Sequence, residues 1–262
     1  NQCESYRKII ERVPNDFPVV IRTLDLGADK AAPYMGFQKE DNPFLGFRAI
    51  RRQLKHPAVL KTQIKAILLA SEGRENVRLL FPMITDLQEV KSVKGIYEEC
   101  RQELIEEGYH APQLKIGVMF EVPAAIFISH KMMPEIDFCS IGSNDLTQYV
   151  LAVDRNNTNV SNIYDPLHPA VLQMIKHLVK NCAEVNMPLE LCGEMASDPD
   201  GSVILVGLGL RQLSMSASLI PLVKERMSMF TLSDAEEIAD FALHEAASAM
   251  EVRQKIARFH RR

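Results

Sequence analysis

The clearest chemical signal in the sequence is the stretch 138–155, FCSIGSNDLTQYVLAVDR. A short apolar run ends at Gly142, and Asn144 and Asp145 follow just before a helical pattern that begins at Leu146. A strand that runs into a helix N-terminus offers unpaired backbone N–H groups to an anion, and a carboxylate there can hold a divalent cation. Alternatively, Asn144 or Asp145 simply caps the helix, as these residue types often do.

Polar side chains also end other apolar runs. Arg22 and Asp25 lie at the end of the run 19–26, Glu121 ends KIGVMFE, and Cys192 ends LELC. An unpaired carboxylate buried in an apolar strand costs several kcal/mol, so Glu121 is expected at the mouth of a site, beside a partner. Cys192 is either a chemically active thiol or a small buried apolar residue, and the second interpretation is preferred for the other internal cysteines, Cys100, Cys139 and Cys182.

A long segment, 28–57, contains several Pro and Gly residues and no sustained periodicity before Ala49. Long loops in compact domains are often functional. Lys30 and Arg48 lie near its two ends, where they form either part of an anion site or an ordinary solvated basic surface.

The elements that position these residues alternate between strand and helix. No hairpin signal separates the strands, and each strand is almost continuously apolar, which is typical of a parallel sheet covered on both faces. The fold class predicted is α/β, with a (β/α) barrel as the best fit, in which the active site lies at the carboxyl ends of the strands. A closed barrel needs eight strands, so two are either hidden or outside the chain. The predicted strands are 19–26, 77–84, 115–122, 138–141, 189–194 and 213–217.

Helices are predicted between these strands from periodicity and capping signals. Asp86 with Glu89 forms a capping box, and so do the residues 233–236. Pro123 and Pro169 stand at first helical positions. The predicted helices are 5–13, 58–71, 86–107, one that begins at 123, 146–153, 169–185, 203–210 and 233–259.

Composition narrows the class of protein. The 262 residues are 47% hydrophobic and 24% charged, enough for one large domain, and residues 1–262 are taken as one. A net charge of −4 argues against a general nucleic-acid or membrane binder, and no apolar run reaches the roughly 18 residues of a membrane span.

Five scattered cysteines without CxxC spacing suit a reducing compartment, so a cytoplasmic location is expected. The polar start is not a signal peptide, and the missing initial Met indicates a fragment or a processed chain.

Eight blocks in chain order carry a family resemblance: IRTLDLGADK (21–30), NPFLGFRAIR (42–51), FPMI (81–84), EVPAA (121–125), SIGSNDLTQY (140–149), DR (154–155), LCGEMA (191–196) and LSMSA (213–217). They resemble the phosphoenolpyruvate-binding C-terminal domain of Enzyme I of the bacterial phosphotransferase system, with some features closer to its nitrogen-related branch. The resemblance implies a (β/α)8 barrel of the phosphoenolpyruvate/pyruvate type whose first strand, with a further phosphate-binding arginine, precedes Asn1.

The same resemblance implies roles for the site residues. Glu121 and Asp145 hold Mg2+ or Mn2+, and Cys192 protonates the enolate carbon. Because phosphoenolpyruvate carries about three negative charges, arginine forks and a hard cation make a sensible receptor. A thiol with an ordinary pKa of about 8.5 is a reasonable proton donor. The implied substrate ligands are Arg22, Lys30, Arg48, Asn144 and Arg155.

The expected function is therefore transfer of the phosphoryl group of phosphoenolpyruvate to a histidine, with release of pyruvate. That histidine belongs to a separate N-terminal domain, so the fragment alone is not expected to complete the transfer. A homodimer is implied, as is a phosphocarrier protein that acts through the N-terminal domain. Two alternatives stay open: the barrel domain of pyruvate phosphate dikinase or phosphoenolpyruvate synthase, and a non-catalytic dimerisation or regulatory module.

Overall fold

The computed structural model describes residues 1–27 and 39–259, so Lys30 lies outside the described residues. The chain divides into two compact units. The first unit contains Asn1–Met119 and Pro134–Phe138, and the second contains Phe120–Met133 and the chain from Cys139 onward.

The strands of the first unit are parallel neighbours in chain order. They are β1 (Val19–Arg22), β2 (Val77–Phe81) and β3 (Lys115–Phe120), with Val19 of β1 opposite Val77 and Arg78 of β2 opposite Lys115. Leu79 and Phe81 of β2 are completely buried, as the apolar pattern predicts. The helices are α1 (Gln2–Ile10), α2 (Ala49–Lys55), α3 (Ala58–Ala70) and α4 (Leu87–Glu106), and a 3-10 turn covers Pro43–Leu45.

The second unit repeats this organisation. Its parallel strands are β4 (Phe138–Gly142, of which Phe138 belongs to the first unit), β5 (Leu189–Cys192) and β6 (Leu213–Ser214), and every residue of β4 is buried. The α-helices are α5 (Pro123–Phe127), α6 (Ser129–Met132), α7 (Ser143–Leu151), α8 (Pro169–Glu184), α9 (Glu194–Ser197), α10 (Pro199–Leu208), α11 (Ile220–Met227), α12 (Leu232–His244) and α13 (Ala249–Phe259). Further 3-10 turns cover Met133–Glu135, Ser161–Ile163 and Ala217–Leu219.

The predicted fold class is confirmed. Parallel strands require a crossover between them, and each strand of both units is followed by helix before the next strand. The order of elements is that of an α/β protein with the strand–helix alternation of a (β/α) barrel. The described residues contain the six strands that the sequence predicts. Within the same residues, no helix has the length and apolarity to cross a membrane.

The start of α4 confirms a capping box that the sequence predicts. The Asp86 carboxylate accepts from the Glu89 backbone N–H at 3.0 Å, and the Glu89 carboxylate accepts in return from the Asp86 and Thr85 N–H groups at 3.4 and 2.6 Å. Three backbone donors at the helix N-terminus therefore gain partners from two side chains.

The prediction of one C-terminal helix from 233 to 259 is wrong, because α12 and α13 are separate helices. The capping box of α12 is formed by Thr231 and Asp234, two residues before the predicted start. A second start signal was missed between them: the Ser248 hydroxyl accepts from the Glu251 N–H at 3.3 Å, and the Glu251 carboxylate accepts from the Ala247 N–H at 2.9 Å. These bonds give the backbone a partner where one continuous helix was expected.

We expect the change Asp86→Ala to lower the free energy of unfolding by about 1 kcal/mol, because it removes the cap at the start of the long helix α4. Urea denaturation followed by circular dichroism measures this difference. The control is Lys91→Ala on the exposed side of the same helix, which should stay within roughly 0.5 kcal/mol of the unchanged protein. Equal stability of the two variants contradicts a role for the cap.

Candidate functional site

The junction of β4 and α7 leaves no loop between strand and helix. Gly142 ends β4 and is also the N-cap of α7, which begins at Ser143, earlier than the sequence predicts. No side chain caps the helix, so the alternative that Asn144 or Asp145 is the cap is wrong. Both residues belong to the first turn, where the helix dipole favours negative charge.

Asp145 is 5% exposed, and its carboxylate accepts a hydrogen bond from Arg155 Nη1 at 2.9 Å. The chain returns to this point because α7 ends at Ala152 in the left-handed conformation, with φ 54°. The Arg155 backbone N–H also donates to Gln148 Oε1 at 3.1 Å. Arg155 is therefore held at its backbone and its side chain, with a guanidinium at the positive end of α7.

Asn144 connects this junction to the residues that follow β5. Its side-chain oxygen accepts from the Glu194 backbone N–H at 2.9 Å, and its backbone carbonyl accepts from the Tyr164 hydroxyl at 3.1 Å. Its amide nitrogen lies 3.5 Å from the Glu194 carboxylate. Because the amide oxygen accepts from a backbone donor, the amide nitrogen is the side of the group that is left for donation, and one of its N–H groups already points to the Glu194 carboxylate.

Tyr164 was not singled out from the sequence. Burial raises its pKa, so that the phenol keeps its proton at neutral pH and can donate to Asn144. No local pattern in the Pro- and Asn-rich loop 156–166 distinguishes this tyrosine, and only the tertiary structure brings it to α7.

Gly193 lets the end of β5 lie against the start of α7. Its φ of +109° is the region that favours glycine, and a Cβ there would lie 2.3 Å from Ser143 Oγ and 2.9 Å from Asn144 Oδ1. Ser143 Oγ in turn donates to the Cys192 backbone carbonyl at 2.9 Å. A side chain at position 193 would displace two residues of the junction.

Cys192 is the last residue of β5, half-buried and opposite Gly142 in the strand register. Its thiol donates to the Ile141 carbonyl at 3.4 Å and accepts from Ser140 Oγ at 3.8 Å. The second unit thus brings Cys192 to the junction that also holds Asn144, as the strand-end argument predicts.

The other internal cysteines behave as core residues. All five cysteines are free, and Cys100, Cys139 and Cys182 are buried. Burial raises the pKa of Cys100 to about 11. A hydrogen bond with Cys182, together with burial, raises the pKa of Cys139. Neither Cys100 nor Cys139 is therefore ionised near neutral pH.

Glu121 belongs to the second unit and comes between β3 and α5, where Pro123 occupies the first helical position. Its side chain is 2% exposed, which demands a compensating partner for the carboxylate. Across residues 1–27 and 39–259, no three His, Cys, Asp or Glu side chains form a metal-binding cluster. A cation held by Glu121 and Asp145 would need further oxygen ligands from water or substrate.

In the first unit, Arg48 is buried at 1% exposure and pairs with Asp25 through both arms of its fork. Arg48 Nε lies 3.0 Å from Asp25 Oδ1, and Nη2 lies 2.6 Å from Oδ2. The guanidinium also lies 5.6 Å from the centre of the Phe44 ring. The interpretation of Arg48 as an ordinary solvated surface residue is therefore wrong. Arg22, by contrast, is exposed and contacts Met119 Sδ at 3.9 Å.

Two glutamines fix the segment that follows β1. The strand ends at Arg22 although the apolar pattern continues to Leu26. Gln63 Oε1 accepts from the Leu24 N–H at 3.0 Å, and Gln53 Nε2 donates to the Leu24 carbonyl at 2.7 Å. These side chains replace the ladder bonds of a longer strand and hold the chain that leads to Asp25.

The comparison with family models now identifies the chain. The model described as "PEP-utilising enzyme, PEP-binding domain" matches residues 1–232. The chain belongs to this family. PEP denotes phosphoenolpyruvate, so the family resemblance drawn from the motifs is confirmed.

Several named relatives match nearly all of this chain. An Escherichia coli K12 protein described as "Phosphoenolpyruvate-dependent phosphotransferase system" is 44% identical over 100% of this chain and 35% of its own length. A "Phosphoenolpyruvate-protein phosphotransferase" of Borreliella burgdorferi is 40% identical over 93% of this chain and 42% of its own. The protein of the same description in Mycoplasma genitalium is 41% identical over 100% of this chain and 44% of its own length. The chain therefore spans less than half the length of these relatives.

Among solved structures, the chain is similar to a citrate lyase from Burkholderia xenovorans LB400, with a TM-score of 0.49 and 14% identity over 78% of this chain and 68% of that one.

We expect Asp25→Ala to lower the free energy of unfolding by about 3–5 kcal/mol, because the change leaves the Arg48 guanidinium buried without its bidentate partner. Chemical denaturation measures the loss. The matched control in the same unit is Glu4→Ala, which breaks the exposed ion pair with Lys8 and should cost at most about 1 kcal/mol. Similar losses in the two variants mean that the Arg48 pair behaves as a surface pair.

Proposed function

We propose that this PEP-binding domain binds phosphoenolpyruvate with Mg2+ or Mn2+ and, in the complete protein, supports transfer of the phosphoryl group to a histidine on a separate N-terminal domain. Pyruvate is the other product. The observation that carries the proposal is the β4–α7 junction, where a carboxylate, a guanidinium, an amide and a thiol meet at one helix N-terminus. The names of the relatives support phosphotransfer over the dikinase alternative.

The substrate is a small anion of about three charges, and the proposed ligands suit it. At the junction, the Arg155 guanidinium and the first turn of α7 both favour negative charge. Asn144 contributes N–H donors because its amide oxygen is already bonded. In the first unit, Asp25 fixes the plane of the Arg48 fork. The full proposed set is Arg22, Lys30, Arg48, Asn144 and Arg155.

The two proposed metal ligands fit a hard cation. Glu121 and Asp145 are both buried carboxylates of the second unit, and Mg2+ prefers one or two such carboxylates with the remaining ligands from water and substrate phosphate. When bound, the cation neutralises charge on the phosphate. Arg155 already contacts Asp145, so a cation there would compete with or share that carboxylate.

Cys192 is the proposed acid. Loss of the phosphoryl group leaves the enolate of pyruvate, which becomes pyruvate when its C3 carbon takes a proton. The Cys192 S–H bond breaks, a C–H bond forms at C3, and the thiolate remains. In the opposite direction the thiolate removes a proton from the methyl group of pyruvate. In the structure the S–H donates to the Ile141 carbonyl, so the thiol must rotate to reach a substrate carbon.

The partners follow from the same proposal. The proposal assigns the acceptor histidine to an N-terminal domain, from which a phosphocarrier protein receives the phosphoryl group. A homodimer and a cytoplasmic location are part of this proposal. A purely regulatory module would need neither the metal pair nor the thiol, so substitution of those residues separates such a module from an enzyme.

We expect Glu121→Ala and Asp145→Ala each to abolish metal-dependent binding of phosphoenolpyruvate, because each change removes one of the two carboxylates proposed to hold the cation. Titration calorimetry with phosphoenolpyruvate in the presence and absence of Mn2+ measures the effect, and circular dichroism checks that the variants fold. The control is Asp240→Ala, which removes an exposed carboxylate of the second unit. Mn2+ affinity equal to that of the unchanged protein in both variants excludes the proposed pair.

Cys192→Ala should still bind phosphoenolpyruvate but should lose exchange of the C3 hydrogens of pyruvate with deuterated solvent, because the proton carrier is gone. Proton NMR of pyruvate with the Mg2+-loaded chain monitors the exchange. Cys3→Ala, at the distant N-terminus of the sequence, is the control and should exchange normally. Exchange in Cys192→Ala at the rate of the unchanged protein shows that the thiol is a packing residue.

A further inference from the structure

Ser140 is a buried hydroxyl with a specific partner. It lies in the centre of β4 at 0% exposure, between the equally buried Cys139 and Ile141. A buried hydroxyl needs a hydrogen-bond partner, because an unsatisfied one is costly. In the described part of the chain, Ser140 Oγ donates a hydrogen bond to Cys192 Sγ at 3.8 Å, within the longer range of bonds to sulfur.

The sulfur of Cys192 therefore has two distinct contacts with β4. Its S–H group donates to the Ile141 carbonyl at 3.4 Å, and Ser140 Oγ donates to the sulfur itself. When Cys192 gives up its proton, the first contact loses its hydrogen, but the second gains strength because its acceptor becomes an anion. The Ser143 hydroxyl donates to the backbone carbonyl of Cys192, so the backbone that carries the thiol is also bonded to the start of α7.

We propose that Ser140 is a positioning residue for Cys192: its hydroxyl orients the thiol and stabilises the thiolate that remains after proton transfer to carbon. The inference rests on the proposed role of Cys192 as the acid. A hydrogen bond to the charged form favours that form. Ser140 does not touch the reacting carbon in this role and acts entirely through the sulfur.

A second serine of the same unit provides a matched control. Ser202 is also 0% exposed, but its hydroxyl donates to the Pro199 carbonyl of its own helix at 2.8 Å. Ser202→Ala therefore removes the same atom from an equally buried position without touching Cys192. An effect on Cys192 that appears in Ser140→Ala and not in Ser202→Ala belongs to the hydrogen bond.

The first test measures the thiolate directly and does not require enzyme activity. In a Cys3→Ser background, Cys192 is alkylated with iodoacetamide at pH 7, below the ordinary thiol pKa of about 8.5, and the modified peptide is quantified by mass spectrometry. Ser140→Ala should slow alkylation about tenfold, which corresponds to one pKa unit. A residue that only fills space would leave the rate unchanged or raise it by loosening the strand, and either result overturns the proposal.

The second test separates positioning from binding. With the Mg2+-loaded chain, Ser140→Ala should lower the maximal rate of pyruvate C3 exchange while the pyruvate concentration for half-maximal rate stays the same. Ser140→Thr keeps the hydroxyl and should restore most of the rate. A raised half-saturating concentration with an unchanged maximal rate, or a folded Thr variant as slow as Ala, contradicts the inference. If Cys192→Ala exchanges normally, the proposed acid is wrong, whereas slow alkylation in Ser140→Ala still confirms the contact with the thiolate.

Discussion

The abrupt passage from β4 into α7 is the constraint on which the site of the second unit depends. Because Gly142 ends the strand and caps the helix, the first turn of α7 begins at the carboxyl end of β4. Asn144 and Asp145 are then fixed by helix geometry and need no loop to place them. The close approach of β5 to this turn follows from Gly193, whose missing Cβ leaves room for Ser143. A site built on strand and helix ends in this way is more rigid than one built on loops.

The main constraint in the first unit is a buried guanidinium, that of Arg48. Burial of a charged pair costs desolvation energy that a bidentate geometry only partly offsets. Arg48 and Asp25 form such a pair. The residue before Asp25 is held as well, because the buried side chains of Gln53 and Gln63 bond to the backbone of Leu24. Such an arrangement fixes orientation, since neither side chain can turn without breaking the bidentate contact.

Local signals in the sequence were enough to predict the alternation of strands and helices. Apolar runs mark all six strands, and the capping box at Asp86 and Glu89 marks the start of α4, because each signal lies within a few residues of its effect. The end of β1 could not be predicted in this way, since Gln63 acts on Leu24 across 39 residues. The pairing of Arg48 with Asp25 spans 23 residues, and the sequence around neither residue predicts it.

The site shows the same division. Strand ends singled out Asn144, Asp145 and Cys192, and the fold brings these three residues to one junction. Tyr164 and Ser140 were missed, the first because it lies in an irregular loop and the second because a serine inside an apolar strand looks like a packing residue. Their hydrogen-bond partners are 20 and 52 residues away in the sequence.

The contact between Arg155 and Asp145 limits the number of residues that the chain can have between the start of α7 and Arg155. Each residue added to a helix rotates the chain beyond it by about 100° and advances it by about 1.5 Å. An insertion or deletion within α7 would therefore carry Arg155 away from Asp145, although neither residue had changed. Beyond Arg155 the chain enters an exposed segment without regular structure up to Ser161, where added residues need not move the guanidinium. Variation in length among related sequences should therefore be found after Arg155 and not before it.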